Sequence, residues 1–432
     1  MIYHLIRELV RLAAYVFYRR IEVVGLENIP QEGATIFFGN HPNSLLDPAL
    51  ITAFGERKLH FMAKDTLFSK PLLSLLLAQM GAVPVRRRQD QAKGTLNNEH
   101  AFTELYELLR SGGAMGIFPE GISHNGAQLS ELKTGAARIA IEMYNQGVQV
   151  KLIPCGLTYL TRDRFRSSVL IQFGEAITLE TAEQAQVSPR ELTTQMELYL
   201  RSLTINAQTW DDLSLLDTVR RLYQPPKITI EERVELARRF NTYYPNIKDK
   251  EEIQTLAHDL KSYQEELYLL GLKDKDISGS LSAVTLFGRC LRHLMLTIVW
   301  LPLALLGSPI HFPIAFLLGH GSRIMAPRKD VVATTKFIAG FLMLNALYGA
   351  LGVWSWSLGY GYLSIFVPLL FALSGFGCLK LAERGRALWG TLWIWTHCIA
   401  AKRTIRDLRA RRRLLREEVL ATVNTHLPSN LE

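Results

Sequence analysis

The sequence predicts an α/β fold, a mainly parallel sheet flanked by helices, followed by a helical appendage and C-terminal membrane helices. Three observations carry that prediction. Short β-rich runs alternate with helical patterns from Ala34 to about Thr178, a polar helical stretch follows, and the last third holds two long uncharged apolar runs. Strands alternating with helices build parallel sheets, because each helix carries the chain back to the edge it left. Uncharged runs beyond about 18 residues are long enough to cross a bilayer.

Residues 1–24 open with MIYHLIRELVRLAAYVFYRR, which sets His4, Arg7, Glu8 and Arg11 on one helical face and Ile2, Leu5, Ile6, Leu9 and Leu12 on the others. This predicts an interfacial amphipathic helix. Charges inside the run and the absence of a small-residue cleavage site argue against a secretory signal. Residues 25–181 form the α/β domain, with strands expected at ATIFFG, KLHFMA, GAVPV, AMGIF, VKLIPCGLTY and SSVLIQF. Residues 182–280 turn helical and polar, broken at Gln224-Pro225-Pro226 and Tyr244-Pro245-Asn246.

Residues 281–386 are read as membrane hairpins. Leu294 to Gly319 and Phe337 to Leu379 contain no Asp, Glu, Lys or Arg over 26 and 43 residues. The first run is interrupted by Gly307-Ser308-Pro309-Ile310-His311-Phe312-Pro313 and the second by Gly359-Tyr360-Gly361. Basic residues flank both runs at 289–292, 323–336 and 380–386, so the positive-inside tendency places all three flanks on the cytoplasmic side. Each run is then expected to fold back. Residues 387–432 form a basic helical tail, with eight basic residues against Asp407 between Lys402 and Arg416, expected to lie on an anionic leaflet.

The charge is unevenly placed. After Ser280 there are 17 Lys and Arg against 6 Asp and Glu, whereas the first 280 residues hold 32 against 34. The basic excess flanks apolar runs instead of coating a folded module, which points to membrane lipids and not to nucleic acid. Cys155, Cys290, Cys378 and Cys398 are widely spaced and suggest neither a disulfide framework nor a zinc site.

Four blocks carry chemistry. Asn40-His41-Pro42-Asn43-Ser44-Leu45-Leu46-Asp47 follows the apolar strand TIFF and places an imidazole where α/β proteins put their sites. His41 is a candidate general base, and Asp47 a carboxylate able to fix its tautomer. Phe118-Pro119-Glu120-Gly121-Ile122-Ser123-His124 is a strand-to-turn sequence whose backbone and Ser123 could meet a phosphate. Glu120 there would accept a bond from an acceptor hydroxyl or hold an arginine. Gly81-Ala82-Val83-Pro84-Val85 delivers Arg86, Arg87 and Arg88, guanidinium groups suited to phosphate. Lys151-Leu152-Ile153-Pro154-Cys155 reads as a buried strand.

In this order, the four blocks resemble the glycerolipid acyltransferase family typified by bacterial 1-acylglycerol-3-phosphate acyltransferases. The resemblance covers about Gly25 to Thr178 and is strongest at FPEGISH and NHPNSLLD. It implies that His41 is the base, that Asp47 is its partner, that Arg86, Arg87, Glu120, Gly121 and Ser123 line the acceptor site, and that neither metal nor cofactor is needed. The implied reaction moves an acyl group from acyl-CoA or acyl carrier protein to lysophosphatidate, with glycerol-3-phosphate or another lysophospholipid as the alternative acceptor. A bacterial inner membrane, with the catalytic domain facing the cytoplasm, is the expected setting. Five residues separate His41 from Asp47 where the family usually has four, a spacing similar to the branch with fungal glycerol-3-phosphate acyltransferases. A lipid transporter is the competing class, disfavoured because the apolar runs carry no Asp, Glu, Lys or Arg to mark a pathway.

Overall fold

The α/β alternation is realised in a computed structural model that describes residues 2–69, 71–86, 99–179, 187–224, 228–279 and 281–426. Eight strands form one sheet: β1 Arg20–Val24, β2 Thr35–Gly39, β3 Leu59–Lys64, β4 Val83–Val85, β5 Ala114–Ile117, β6 Lys151–Tyr159, β7 Ser168–Phe173 and β8 Ile177–Thr178. Their order is β1-β7-β6-β2-β5-β3-β4, with β8 beside β6. The five strands from β6 to β4 run parallel, while β7 and β8 pair antiparallel with β6. The carboxyl ends of β2, β3, β4, β5 and β6 therefore share one edge. The blocks holding His41, Glu120 and Arg86 follow that edge, and Cys155 of the fourth stands level with Gly39.

Helix α1, Ile2–Phe17, lies along α2, Leu46–Phe54. Arg11 Nε donates to the Ala53 carbonyl at 3.1 Å, and Tyr15 meets Phe54 edge-on. Ile2, Leu5, Leu12 and Val16 remain exposed, an apolar stripe of the kind that enters a lipid interface. Between β3 and β6 come α3 Pro71–Gln79, α4 Glu99–Arg110 and α5 Gly135–Asn145. On one face of the sheet, Ile36 and Phe38 of β2, Met115 of β5 and Leu152 of β6 pack against Leu105, Ala137 and Ala140 from those helices. Burying a side chain such as Phe38 contributes about 2 kcal/mol or more.

The expected break at residue 182 is not a structural boundary. Helix α6, Pro189–Leu203, begins with a Ser188–Glu191 capping box and buries Leu192, Met196 and Leu200 in the same core as the sheet, so it belongs to the α/β part. The chain divides into two compact units. Residues 1–210, 228–239 and 326–337 form the first; 211–227, 240–325 and 338–432 form the second.

The second unit is helical: α7 Trp210–Tyr223, α8 Ile230–Ile247, α9 Glu251–Leu269, α10 Asp274–Ser278, α11 Ala283–Met325, α12 Val332–Ser355, α13 Phe366–Ala400 and α14 Lys402–His426, with parts of α7, α8 and α12 in the first unit. One expectation is corrected here. The first apolar run does not fold back: α11 is one helix of 43 residues, roughly 65 Å long. Pro309 removes the N–H that would reach the Leu305 carbonyl, and the Ser308 hydroxyl donates there instead at 3.3 Å, so the ladder continues past the proline. The basic tail packs one face within its own unit. Ile405, Leu408, Leu415, Val419 and Val423 of α14 are buried with Leu256, Leu260 and Leu267 of α9, while Arg412 binds both oxygens of Asp274 and Arg411 pairs with Glu266. The second apolar run divides into α12 and α13 around Gly359 and Gly361, both at positive φ. Helices α11 and α13 lie against each other antiparallel, Phe287 meeting Trp395 and Trp300 meeting Phe376. By length and composition, Ala283–Met325 and Lys329–Ala400 are each apolar enough to cross a membrane.

Candidate active site

Strand β2 ends at Gly39, and the next two residues are tied to its neighbours. Asn40 completes the ladder with its side chain, donating to the Leu157 carbonyl at 3.0 Å and accepting the Leu157 N–H at 2.8 Å. The His41 backbone N–H donates to Glu120 Oε1 at 2.6 Å. Register places Phe38 beside Ile117, so His41 falls beside Glu120. The imidazole stacks on Phe118 with ring centroids 4.1 Å apart, and Phe118 stacks on Phe61. Gly116 makes room for that ladder: a Cβ there would stand 2.2 Å from the Phe61 ring.

His41 Nδ1 lies 2.8 Å from Asp47 Oδ2. Asp47 is fully buried and also accepts the Asn43 N–H at 2.7 Å on Oδ2 and the Tyr159 hydroxyl at 2.6 Å on Oδ1. Burial pushes its carboxyl up from the ordinary range, opposed by these three donors. Burial likewise holds the Tyr159 phenol well above its usual range, so it remains a donor. His41 Nε2 has no hydrogen-bond partner among the described residues. With Nδ1–H on the carboxylate, Nε2 carries the lone pair that a base requires.

The five-residue spacer is absorbed before α2 starts. Ser44 adopts a left-handed φ of 52°, costing about 1 kcal/mol, and Asp47 then falls in the first turn of the helix. Both side chains still converge.

Glu120 is held by bonds from within the protein. Its side chain is 1% exposed, Oε1 holds the His41 amide, and Oε2 receives the Ser130 N–H at 2.9 Å and the His124 Nε2. Burial alone would raise its carboxyl, but the bonds from His124, Ser130 and His41 outweigh that and hold it below the usual range. Its geometry is that of a scaffold under His41, because no edge of the carboxylate reaches solvent. Gly121 has a φ of 77°, and a Cβ there would meet Lys133 Nζ at 2.5 Å. Ser123 is buried; its Oγ donates to Asp330 Oδ2 at 2.6 Å and accepts from Arg328 Nη2 at 3.0 Å. Arg86, just past β4, is exposed and lies 3.4 Å from Asp65. Arg87 lies outside the described residues.

Sequence reading missed Tyr159, Arg162 and Lys133. Arg162 sits on the turn after β6, and its carbonyl accepts from Asn43 Nδ2 at 3.2 Å. Its guanidinium donates through Nη2 to the Gly126 carbonyl at 2.9 Å and lies over Trp210, while Nη1 is buried without a partner. Asp47, Glu120 and Asp330 are its charged neighbours. Among the described residues, no three His, Cys, Asp or Glu side chains cluster as metal ligands would.

A buried His–Asp pair thus stands at the carboxyl edge of a parallel sheet, with the outer imidazole nitrogen unpartnered among the described residues. The comparisons with known proteins specify the class of protein. The acyltransferase family model matches residues 20–158, and the model of the glycerol-3-phosphate acyltransferase 2 C-terminal domain matches residues 215–431. The chain belongs to the acyltransferase family, in the group that carries this C-terminal domain.

Among its relatives is glycerol-3-phosphate O-acyltransferase 2 of Saccharomyces cerevisiae, 25% identical, with the match covering 77% of this chain and 62% of that protein. Another is a 1-acyl-sn-glycerol-3-phosphate acyltransferase of Borreliella burgdorferi, also 25% identical, over 40% of this chain and 64% of the relative. The crystal structure of a 1-acyl-sn-glycerophosphate acyltransferase from Thermotoga maritima shares 23% identity at a TM-score of 0.36, covering 46% of this chain and 76% of that one. The chain thus matches less than two thirds of the length of either sequence relative.

Proposed function

We propose that this chain transfers a fatty acyl group from an acyl thioester to a hydroxyl of a phosphorylated glycerol, with His41 as general base. The observation that carries this reading is the His41 Nδ1 to Asp47 Oδ2 contact of 2.8 Å beside an unpartnered Nε2. The acceptor O–H gives its proton to Nε2 as its oxygen attacks the thioester carbonyl carbon. The tetrahedral intermediate then collapses, the C–S bond breaks, and the thiolate leaves with the proton from Nε2. Asp47 stabilises the imidazolium between these steps. Glu120 and Phe118 hold the imidazole in place, and Arg86 and Arg162 are the guanidinium groups offered to the acceptor's phosphate.

Glycerol-3-phosphate is the acceptor favoured here over lysophosphatidate, which the sequence alone put first. Support for it comes from the match over residues 215–431 and the five-residue His–Asp spacer. The test is purified full-length protein in lipid nanodiscs with labelled acyl-CoA or acyl carrier protein, offered glycerol-3-phosphate, lysophosphatidate and lysophosphatidylcholine in turn. We expect label on glycerol-3-phosphate, and none with His41→Ala. Absence of label on every acceptor, or turnover by His41→Ala, would overturn the reading.

We also propose that the protein is membrane-bound with both ends of α11 on the catalytic side. Residues 326–337 fold in the same unit as His41, and no uncharged apolar run lies between residue 239 and Ala283. A helix without a reversal whose ends share one side runs along a leaflet and not through it. Cysteines introduced at Ser282 and Ala326 should both be labelled from the cytoplasmic side only. Labelling of Ser282→Cys from the opposite side would show that α11 crosses.

A further inference from the structure

The segment between the two apolar runs folds into the catalytic unit. Residues 326–337 are grouped with the sheet, and their side chains meet the candidate site at three points. Arg328 Nη2 donates to Ser123 Oγ and, at 2.9 Å, to the buried Asp330, which also receives the Ser123 hydroxyl. Lys336 Nζ donates to the Asp163 carbonyl at 2.7 Å, beside Arg162. Thr334, 4% exposed, donates its hydroxyl to the Asn43 carbonyl at 2.8 Å and accepts the Leu46 N–H at 3.3 Å.

Those two bonds bracket Ser44, the left-handed residue of the spacer. Helix α2 has no side-chain cap from its own sequence, and its first-turn amides need acceptors. Within the loop, Leu46 N–H also reaches the Asn43 carbonyl at 3.2 Å, so it is shared between two acceptors, and Asp47 N–H reaches the Ser44 carbonyl at 3.1 Å. A single hydroxyl arriving from 291 residues away supplies one donor and one acceptor to the turn that sets the distance from His41 to Asp47. Thr334 lies outside the matched acyltransferase region, which ends at residue 158.

We propose that Thr334 is a positioning residue: through the Asn43 carbonyl and the Leu46 amide it holds the long His41–Asp47 loop in its proton-transfer geometry. This rests on the acyl-transfer reading for its kinetic consequence but not for its structural one. A strap bearing Arg328, Asp330 and Thr334 thereby completes a site whose four sequence blocks all lie before residue 160. Neither hydrogen bond survives Thr334→Val, whereas Thr334→Ser keeps both at nearly the same shape.

The test uses the full chain in nanodiscs and compares wild type, Thr334→Val and Thr334→Ser by steady-state acyl transfer and by amide hydrogen exchange over residues 43–50. We expect Val to lower kcat about tenfold, since small misplacements at a site cost rate steeply. Both substrate KM values should stay within twofold, exchange across 43–50 should quicken, and Ser should restore rate and protection together. Val with unchanged kcat and exchange, or Ser behaving as Val does, would overturn the proposal. If wild type transfers no acyl group, the enzyme reading fails while the exchange comparison still decides whether Thr334 braces the loop.

Discussion

The two sides of β2 are built differently at the carboxyl edge. Toward β6, one strand away, Asn40, Asp47, Tyr159 and Arg162 are linked to one another or to adjoining backbone by bonds of 2.6 to 3.2 Å, and Asp47 is fully buried. Toward β4, three strands away and therefore about 14 Å across the sheet, Arg86 stands exposed beside Asp65. Groups whose hydrogen bonds are buried are fixed in direction before any substrate arrives. A group on the exposed side can adapt but contributes less, because water competes for it. On the proposed reading, the reacting hydroxyl is served from the β6 side, and the β4 side is left to the more distant parts of the substrates.

The largest expected effect breaks the buried side. Asp47→Asn can keep its carbonyl toward His41 and the Asn43 N–H, and turn its amide toward Tyr159, whose hydroxyl then accepts. Shape and tautomer survive while the negative charge is lost. We expect kcat to fall on the order of 10²- to 10⁴-fold with acceptor KM little changed. A fall below fivefold in steady-state turnover would mean that the charge of Asp47 does not support an imidazolium.

The sheet and its leading edge were legible because they depend on local pattern. TIFF followed by Asn-His needs only an apolar strand and its end, and AMGIF followed by Pro-Glu-Gly repeats that form one parallel neighbour away. The bond from the His41 amide to Glu120 could not be read from sequence, because it is set by β2–β5 register and not by composition. Tyr159 and Thr334 were illegible for a related reason: they come from 112 and 287 residues beyond Asp47, and nothing local marks a Thr or Tyr as a partner of a distant loop. The fold-back expected in α11 does not occur, because the helix runs unbroken through Pro302, Pro309 and Pro313. In α14 the run of arginines hides the Ile405, Leu408, Leu415 and Val419 stripe that packs one face of the helix against α9.

The comparison is sharpened most by the two arginines, where the expected effects are smaller. Arg162 Nη1 is buried without a partner among the described residues, which costs about 1–3 kcal/mol. Arg86 has no such deficit, since its guanidinium already faces solvent and Asp65. The phosphate of a short acceptor such as glycerol-3-phosphate lies only a few bonds from its reacting hydroxyl, which also favours the arginine beside β2 over the one 14 Å away. Arg162→Lys preserves the charge but loses the fork of donors, so acceptor KM should rise about tenfold with donor KM unchanged. Arg86→Ala should raise acceptor KM less than threefold. Both variants are measured with glycerol-3-phosphate at saturating acyl donor. If Arg86→Ala raises acceptor KM more than Arg162→Lys does, the phosphate sits toward β4 and the division of labour across β2 drawn here is reversed.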